Sequence, residues 1–251
     1  MPMPLSYTMK FAVHASEVTP CYALKPFHLL NMLQDAADGA VDSMQLPCVA
    51  DFGCAWMLHQ YSIVLSRPLM SGASGTINTG HVPQGDLFSI RRFILHDDAG
   101  AEIGMADSAW ILVDLKRRRP CRLSRKLPAY FFERAEPVPF DEHFTDPAAP
   151  DREDIVRMLD VRLGDLDVNG HVNNAYYLSW FSEAIPQDVY MTCGIQEAHI
   201  VYTHEATYGM QLRVSTRQDG LSFRHVICNQ DGSEIARALT RWAPAEQGKT
   251  E

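Results

Sequence analysis

The chain has 251 residues, of which 46% are hydrophobic and 21% charged, enough to bury the core of one large domain or two of ordinary size. Its formal charge of -9 disfavours sequence-independent binding to phosphate backbones and gives an anionic membrane surface no reason to attract it. The six cysteines (Cys21, Cys48, Cys54, Cys121, Cys193, Cys228) are scattered, without a CxxC pair or a close Cys/His set, so reduced thiols in a cytoplasmic protein are expected and no metal or organic cofactor is implied. The first residues, MPMPLSYTMKFAVHAS, carry neither the apolar core of a signal peptide nor an Arg-rich transit pattern, and no window approaches a membrane span.

In chain order, residues 7–13 alternate well enough for a strand, and Pro26 sits where its missing N–H costs a helix nothing. Leu29, Leu33, Ala36, Ala37, Ala40, Val41 and Met44 then recur at helical spacing, with alanines that let a sheet approach closely. Beyond Pro47 the pattern predicts strands over residues 56–65, 75–82, 87–96 and 102–113. Residues 136–154 crowd proline and acidic residues together, a linker signature.

After it the order repeats: a strand over 158–163, the turn DLDVNGHVNN, and an aromatic-rich helix starting near Asn173 or Asn174, either a good N-cap. Tyr176, Tyr177, Trp180, Phe181, Ala184 and Ile185 make that helix apolar over much of its circumference, and Pro186 should end or kink it. Strands follow over 198–205, 211–217, 223–229 and 234–242, with Asp231-Gly232 as a hairpin turn. The expectation is an α+β chain of two similar halves: an N-terminal domain over 1–135, a linker over 136–157 and a C-terminal domain over 158–251.

The densest polar cluster is Asp165, Asp167, Asn169, His171, Asn173 and Asn174. A carboxylate accepts or orients a proton, asparagine donates or accepts a hydrogen bond, and histidine transfers protons near neutral pH. The helix start that follows offers free amides to a developing oxyanion. The same residues also suit a turn that merely caps a helix.

The stretch VRLGDLDVNGHVNNAYYLSWFSEAIP resembles the signature of hot-dog thioesterases, especially the acyl-acyl carrier protein thioesterases of plants and bacteria. The likeness extends, less specifically, to WMLHQYSIVLSRP, to RRFILHDDAGAEIGMADSAWILVDLKRRRPCRL and to GSEIARALTRW. It implies two tandem hot-dog folds, each a long central helix wrapped by an antiparallel sheet. It also implies hydrolysis of fatty acyl thioesters on acyl carrier protein, with acyl-coenzyme A as the alternative carrier. A hot-dog dehydratase and a non-catalytic acyl-thioester sensor are more distant readings, and a homodimer is left open.

The family's Asp-x-Asn-x-His falls on Asp167, Asn169 and His171, and its later catalytic glutamate matches Glu205 in IVYTHEATYGMQL. Plant members place a cysteine after that glutamate. Ala206 stands there, so a thiol nucleophile cannot act at that position and carboxylate and histidine chemistry is expected. Either Glu205 or Asp167 would be the general base for water, with direct carboxylate attack as the alternative. The resemblance puts substrate-length selection in the first half, where Met32, Leu33, Ala36, Ala40, Met57 and Trp110 are candidates to line an acyl tunnel, or are ordinary core. Lys116, Arg117, Arg118 and Arg119, followed by Arg122, Arg125 and Lys126, form a basic island that is either a solvated hairpin or a dock for the acidic carrier. His28 and His59 read as structural, and His204 as ambiguous.

Overall fold

A computed structural model describes residues 7–45, 47–84, 86–128 and 144–245; side chains are described except at 82–84. The first half runs β1 (Tyr7–Ala12), α1 (Pro26–Met44), β2 (Cys54–Leu65), β3 (Ser74–Gln84), β4 (Phe88–Asp97), β5 (Glu102–Asp114) and the two-residue β6 (Arg119–Pro120). The second runs β7 (Ile155–Asp160), α2 (Asn174–Glu183), α3 (Gln187–Thr192), β8 (Cys193–Tyr202), β9 (Gln211–Asp219), β10 (Ser222–Asn229) and β11 (Glu234–Pro244).

Among the described residues all eleven strands join one sheet in the order β1-β3-β4-β5-β2-β8-β11-β10-β9-β7, with β6 on β5. Read from the centre outward, the two halves have the same order, so the sheet has a pseudo-twofold axis between β2 and β8. There Ser62 faces His199, with Oγ and Nδ1 3.1 Å apart. Matching side-chain bonds recur across the axis: Trp110 Nε1 donates to Ser108 Oγ at 2.9 Å and Trp242 Nε1 to Thr240 Oγ1 at 3.2 Å. Asp97 and Asn229 likewise each accept two amides in the hairpins after β4 and β10. Each half is a hot-dog: one helix laid on an antiparallel sheet.

The sequence dictates the helices directly. Pro26 occupies the first turn of α1, and Leu29, Leu30, Leu33, Ala36 and Ala40 form its buried stripe. Leu33 is fully buried, and such a leucine is worth about 2–5 kcal/mol against alanine. α2 buries Ala175, Tyr177, Leu178, Trp180 and Phe181, and packs on α1, with the rings of Phe27 and Tyr176 4.6 Å apart. No helix among the described residues is long and apolar enough to cross a membrane.

Several boundaries differ from expectation. The strand expected over 158–163 runs over Ile155–Asp160, because Val161 turns into the core and Arg162 and Asp165 close a tight turn over Leu163–Asp165. β8 begins at Cys193 rather than 198: it lies mid-sheet and is largely buried on both faces, which erases the alternation that marks a strand. It also ends at Tyr202, short of Glu205. Pro186 ends α2 as expected but also caps the unanticipated α3.

Within the expected linker, residues 136–143 lie outside the described residues. Residues 144–147 are strapped to the sheet face away from the helices, while residues 155–157 of the expected linker already belong to β7. Phe144 packs with Ile90 and Ala109, Gln60 Nε2 donates to Thr145 O at 2.7 Å, and Arg237 Nε donates to Pro147 O at 2.9 Å.

Candidate active site

The loop from Val161 to Asn173 is tied by its own sequence. Asp165, 1% exposed, accepts the Arg162 amide at 2.8 Å and its guanidinium at 2.9 Å. Asp167 N donates to His171 O at 2.7 Å, and Gly170 supplies the left-handed turn between them at φ 78°. The Asp167 carboxylate accepts three donors: the Asn169 amide at 2.8 Å, the His171 amide at 3.2 Å and Asn169 Nδ2 at 3.3 Å. Asn173 then caps α2, its Oδ1 accepting Ala175 N at 2.9 Å and Gln34 Nε2 of α1 at 3.2 Å.

Glu205 arrives from the loop between β8 and β9. That loop is held by Val172 N donating to Ala206 O at 3.0 Å and by Ala206 N donating to the Tyr177 hydroxyl at 3.1 Å. Burial pushes the Tyr177 phenol up to about 12, so it stays neutral and serves this bond. The outcome is that His171 Nε2 lies 3.4 Å from Glu205 Oε2, with the two side chains 42% and 54% exposed. Water therefore reaches both.

Asp167, Asn169, His171 and Glu205 thus come together from two loops. Their tasks in the fold differ: Asp167 spends its oxygens on holding the turn, whereas the Glu205 carboxylate faces solvent and the imidazole. His204 is directed elsewhere, its Nδ1 2.7 Å from Glu234 O. Tyr177 and Gln34, which fix the Glu205 loop and the α2 cap, carried no signal in the sequence; each reads as an ordinary helix residue.

The first half makes the same turn without the chemistry. Thr19 N donates to Ala23 O at 2.7 Å, Tyr22 N to Thr19 O at 2.9 Å and Lys25 N to Glu17 O at 2.9 Å, matching Asp167 to His171, Gly170 to Asp167 (3.0 Å) and Asn173 to Asp165 (2.9 Å). Tyr22 even takes the left-handed conformation of Gly170, at φ 64°. Thr19, Cys21 and Ala23 stand where Asp167, Asn169 and His171 stand. The backbone is common to both halves, and side chains alone make one of them a candidate site.

Of the tunnel candidates, Leu33 and Ala36 are fully buried in the main core, Ala40 is also fully buried, and Met32 and Trp110 pack against the main core. Met57 points to the opposite face from Trp110, because Leu58 is the residue paired with Trp110 on the helix side. Arg117 and Arg118 lie in the exposed turn between β5 and β6, and Arg119 on β6. Asp114 anchors this turn, accepting the Lys116 and Arg117 amides and Lys126 Nζ at 2.7 Å; the ammonium contact and the amides lower its carboxyl to about 2. An open cleft beside it is lined by Gly53, Asp114, Lys116, Arg117, Arg125 and Lys126. No group of three or more His, Cys, Asp or Glu able to hold a metal occurs among the described residues.

Residues 4–131 match the acyl-ACP thioesterase N-terminal domain and residues 148–244 the acyl-ACP thioesterase C-terminal domain. The chain belongs to the acyl-ACP thioesterase family. A chloroplastic acyl-[acyl-carrier-protein] hydrolase of Cuphea viscosissima is 25% identical over 264 residues, covering 97% of this chain and 64% of the relative, so the chain spans under two thirds of that relative's length. The solved 12:0-ACP thioesterase of Umbellularia californica superposes with a TM-score of 0.84 at 23% identity, covering 97% of this chain and 99% of that one. An acyl-ACP thioesterase of Bacteroides thetaiotaomicron gives 0.82 at 21% identity, covering 94% and 97%. These structural likenesses establish the double hot-dog fold of the acyl-ACP thioesterase family member.

Proposed function

We propose that this chain hydrolyses fatty acyl thioesters borne on acyl carrier protein, releasing free fatty acid and carrier. The observation that carries the reading is the solvent-open contact of His171 with Glu205 beside an Asp167 carboxylate already occupied by three donors. Glu205 is the general base: it takes a proton from water as the water oxygen attacks the thioester carbonyl. The C–S bond then breaks, and the leaving thiolate takes the proton back through the histidine–glutamate pair. His171 orients the carboxylate, Asn169 and Asp167 keep the histidine in place, and the amide end of α2 favours the developing oxyanion. Ala206, fully buried beside Glu205, supports a route without a nucleophilic thiol.

The basic turn at Arg117, Arg118 and Arg119, together with the adjoining cleft, docks the acidic carrier through local positive charge on a negative chain. All six cysteines are free, which supports a reducing, cytoplasmic setting. The test is hydrolysis of acyl thioesters of graded length carried on acyl carrier protein and on coenzyme A, with the free acid identified. Higher kcat/KM on the carrier protein is expected. Equal or higher values on coenzyme A would transfer the reading to an acyl-coenzyme A thioesterase.

A further inference from the structure

The helix-facing side of the first half's sheet is mainly apolar, but one line of polar residues crosses it. The registers place His81 opposite Arg91, Arg91 opposite Ser108 and Ser108 opposite Tyr61, so four polar side chains form a row across β3, β4, β5 and β2. Tyr61 and its neighbours Phe93 and Ala106 belong to the main core with Leu33 and Ala36 of α1, which fixes the row on the inner face.

This row is left with bonding capacity unused. Arg91 Nη1 is buried and makes no hydrogen bond among the described residues; the fully buried Tyr61 hydroxyl adjoins Ser108 but makes no bond of normal geometry there. The Ser108 hydroxyl accepts from Trp110 Nε1 at 2.9 Å, and His81 Nε2 lies 2.6 Å from Ser89 Oγ. Asp38 of α1 is near enough to act on both Arg91 and Tyr61 electrostatically. A buried donor without an acceptor is costly, and more so when charged. The Arg91 and Tyr61 donors at one level of the interior are costly unless a ligand meets them.

Packed side chains link the row to the candidate active site. Tyr177, bonded to the Ala206 amide beside Glu205, meets Tyr202 edge-on at 5.3 Å between ring centroids. Tyr202 stands two residues beyond Ile200, which is paired with Tyr61 across the seam. From β8 to Arg91 on β4 is three strand spacings, on the order of 14 Å. A medium or long acyl chain spans that length and a short one does not.

We infer that the acyl pocket is built for a chain carrying an oxygen substituent far from the thioester, a hydroxyl, oxo or carboxylate group, which accepts from the Tyr61 hydroxyl and Arg91 Nη1. A site made to hydrogen-bond such a group discriminates strongly against the analogue that lacks it, because its own donors are then buried unpaired. The inference rests on the thioesterase reading and narrows it to oxygenated acyl chains.

The test compares hexadecanoyl thioesters with matched chains in which a hydroxyl, oxo or terminal carboxylate is moved along the carbon chain. In parallel, the free acids are titrated onto the protein by calorimetry. One or more substituted chains should exceed the unsubstituted parent by about tenfold or more in kcat/KM, and the same acids should bind correspondingly tighter. Tyr61→Phe and Arg91→Met, each checked for fold by circular dichroism, should bring both ratios to within about twofold. Arg91→Lys, the milder change, should reduce them if Arg91→Met does not fold. A parent chain that is equal or better at every substituent position, or a preference that survives the variants, overturns the proposal. If no thioester were hydrolysed the thioesterase reading would fall, and the binding ratios would still decide whether the row selects oxygenated chains.

Discussion

Replacing Glu205 with glutamine keeps the size and polarity of the side chain and removes its capacity to take a proton. The residue is 54% exposed and, among the described residues, its carboxylate pairs with His171 Nε2 at 3.4 Å, so its loss should leave the fold almost untouched, within about 0.5 kcal/mol. Turnover should fall by about 10²-fold or more, the ordinary contribution of a positioned base. Asp167→Ala should differ in kind. It strips the acceptor from two backbone amides and from Asn169 Nδ2, at 2.8, 3.2 and 3.3 Å, in a largely exposed loop. With solvent compensating part of each bond, the cost is about 1–2 kcal/mol, or roughly 2–8 °C in Tm for a chain of this size. Its turnover should also fall about 10²-fold, because His171 is no longer held. Steady-state hydrolysis and thermal denaturation of both variants separate the roles. If Glu205→Gln kept wild-type turnover while Asp167→Asn, with an unchanged Tm, abolished it, the base would be Asp167 and the assignment of Glu205 would be refuted.

Three further expectations follow from the same geometry. Gly170→Ala should fold and lose about 1–2 kcal/mol in denaturant titration: the left-handed φ strains a side chain, yet an added Cβ meets nothing within 4 Å and Tyr22 occupies the same turn in the first half. Replacing Arg117, Arg118 and Arg119 with serine should lower kcat/KM on acyl carrier protein substrates, most visibly at low salt, and spare an acyl-pantetheine thioester; equal loss on both would mean that the arginines support the fold. His225, sealed between Thr216 and Thr240 at 2.8 and 2.9 Å, has its imidazole pushed down to about 3 by burial. The unfolded chain then binds the proton first, so stability should decline as pH falls from about 6.5 toward 3, and His225→Gln should flatten that part of a urea-midpoint profile.

The repeated order of helix and strands was legible because it rests on local rules, whereas the hot-dog fold was implied only by the family resemblance. The stripe from Leu29 to Ala40, the proline at the start of α1, the Asn cap of α2 and the Asp-Gly hairpin each act within a few residues. The Asp167–His171 cluster was legible for the same reason, since one short loop holds it. Where pattern failed, partners distant in sequence were in control. Central burial removed the alternation at the start of β8, and a core-directed Val161 moved the end of β7.

Tertiary structure alone decided that Glu205 leaves β8 and meets His171, because Tyr177 and Val172 pin its loop from α2 and the preceding turn. It decided too that Thr19, Cys21 and Ala23 repeat the geometry of the site without its chemistry. The row of His81, Arg91, Ser108 and Tyr61 belongs to the same class. Those residues lie on four different strands, and only the hydrogen-bond register of the sheet, a property of no single segment, sets them side by side.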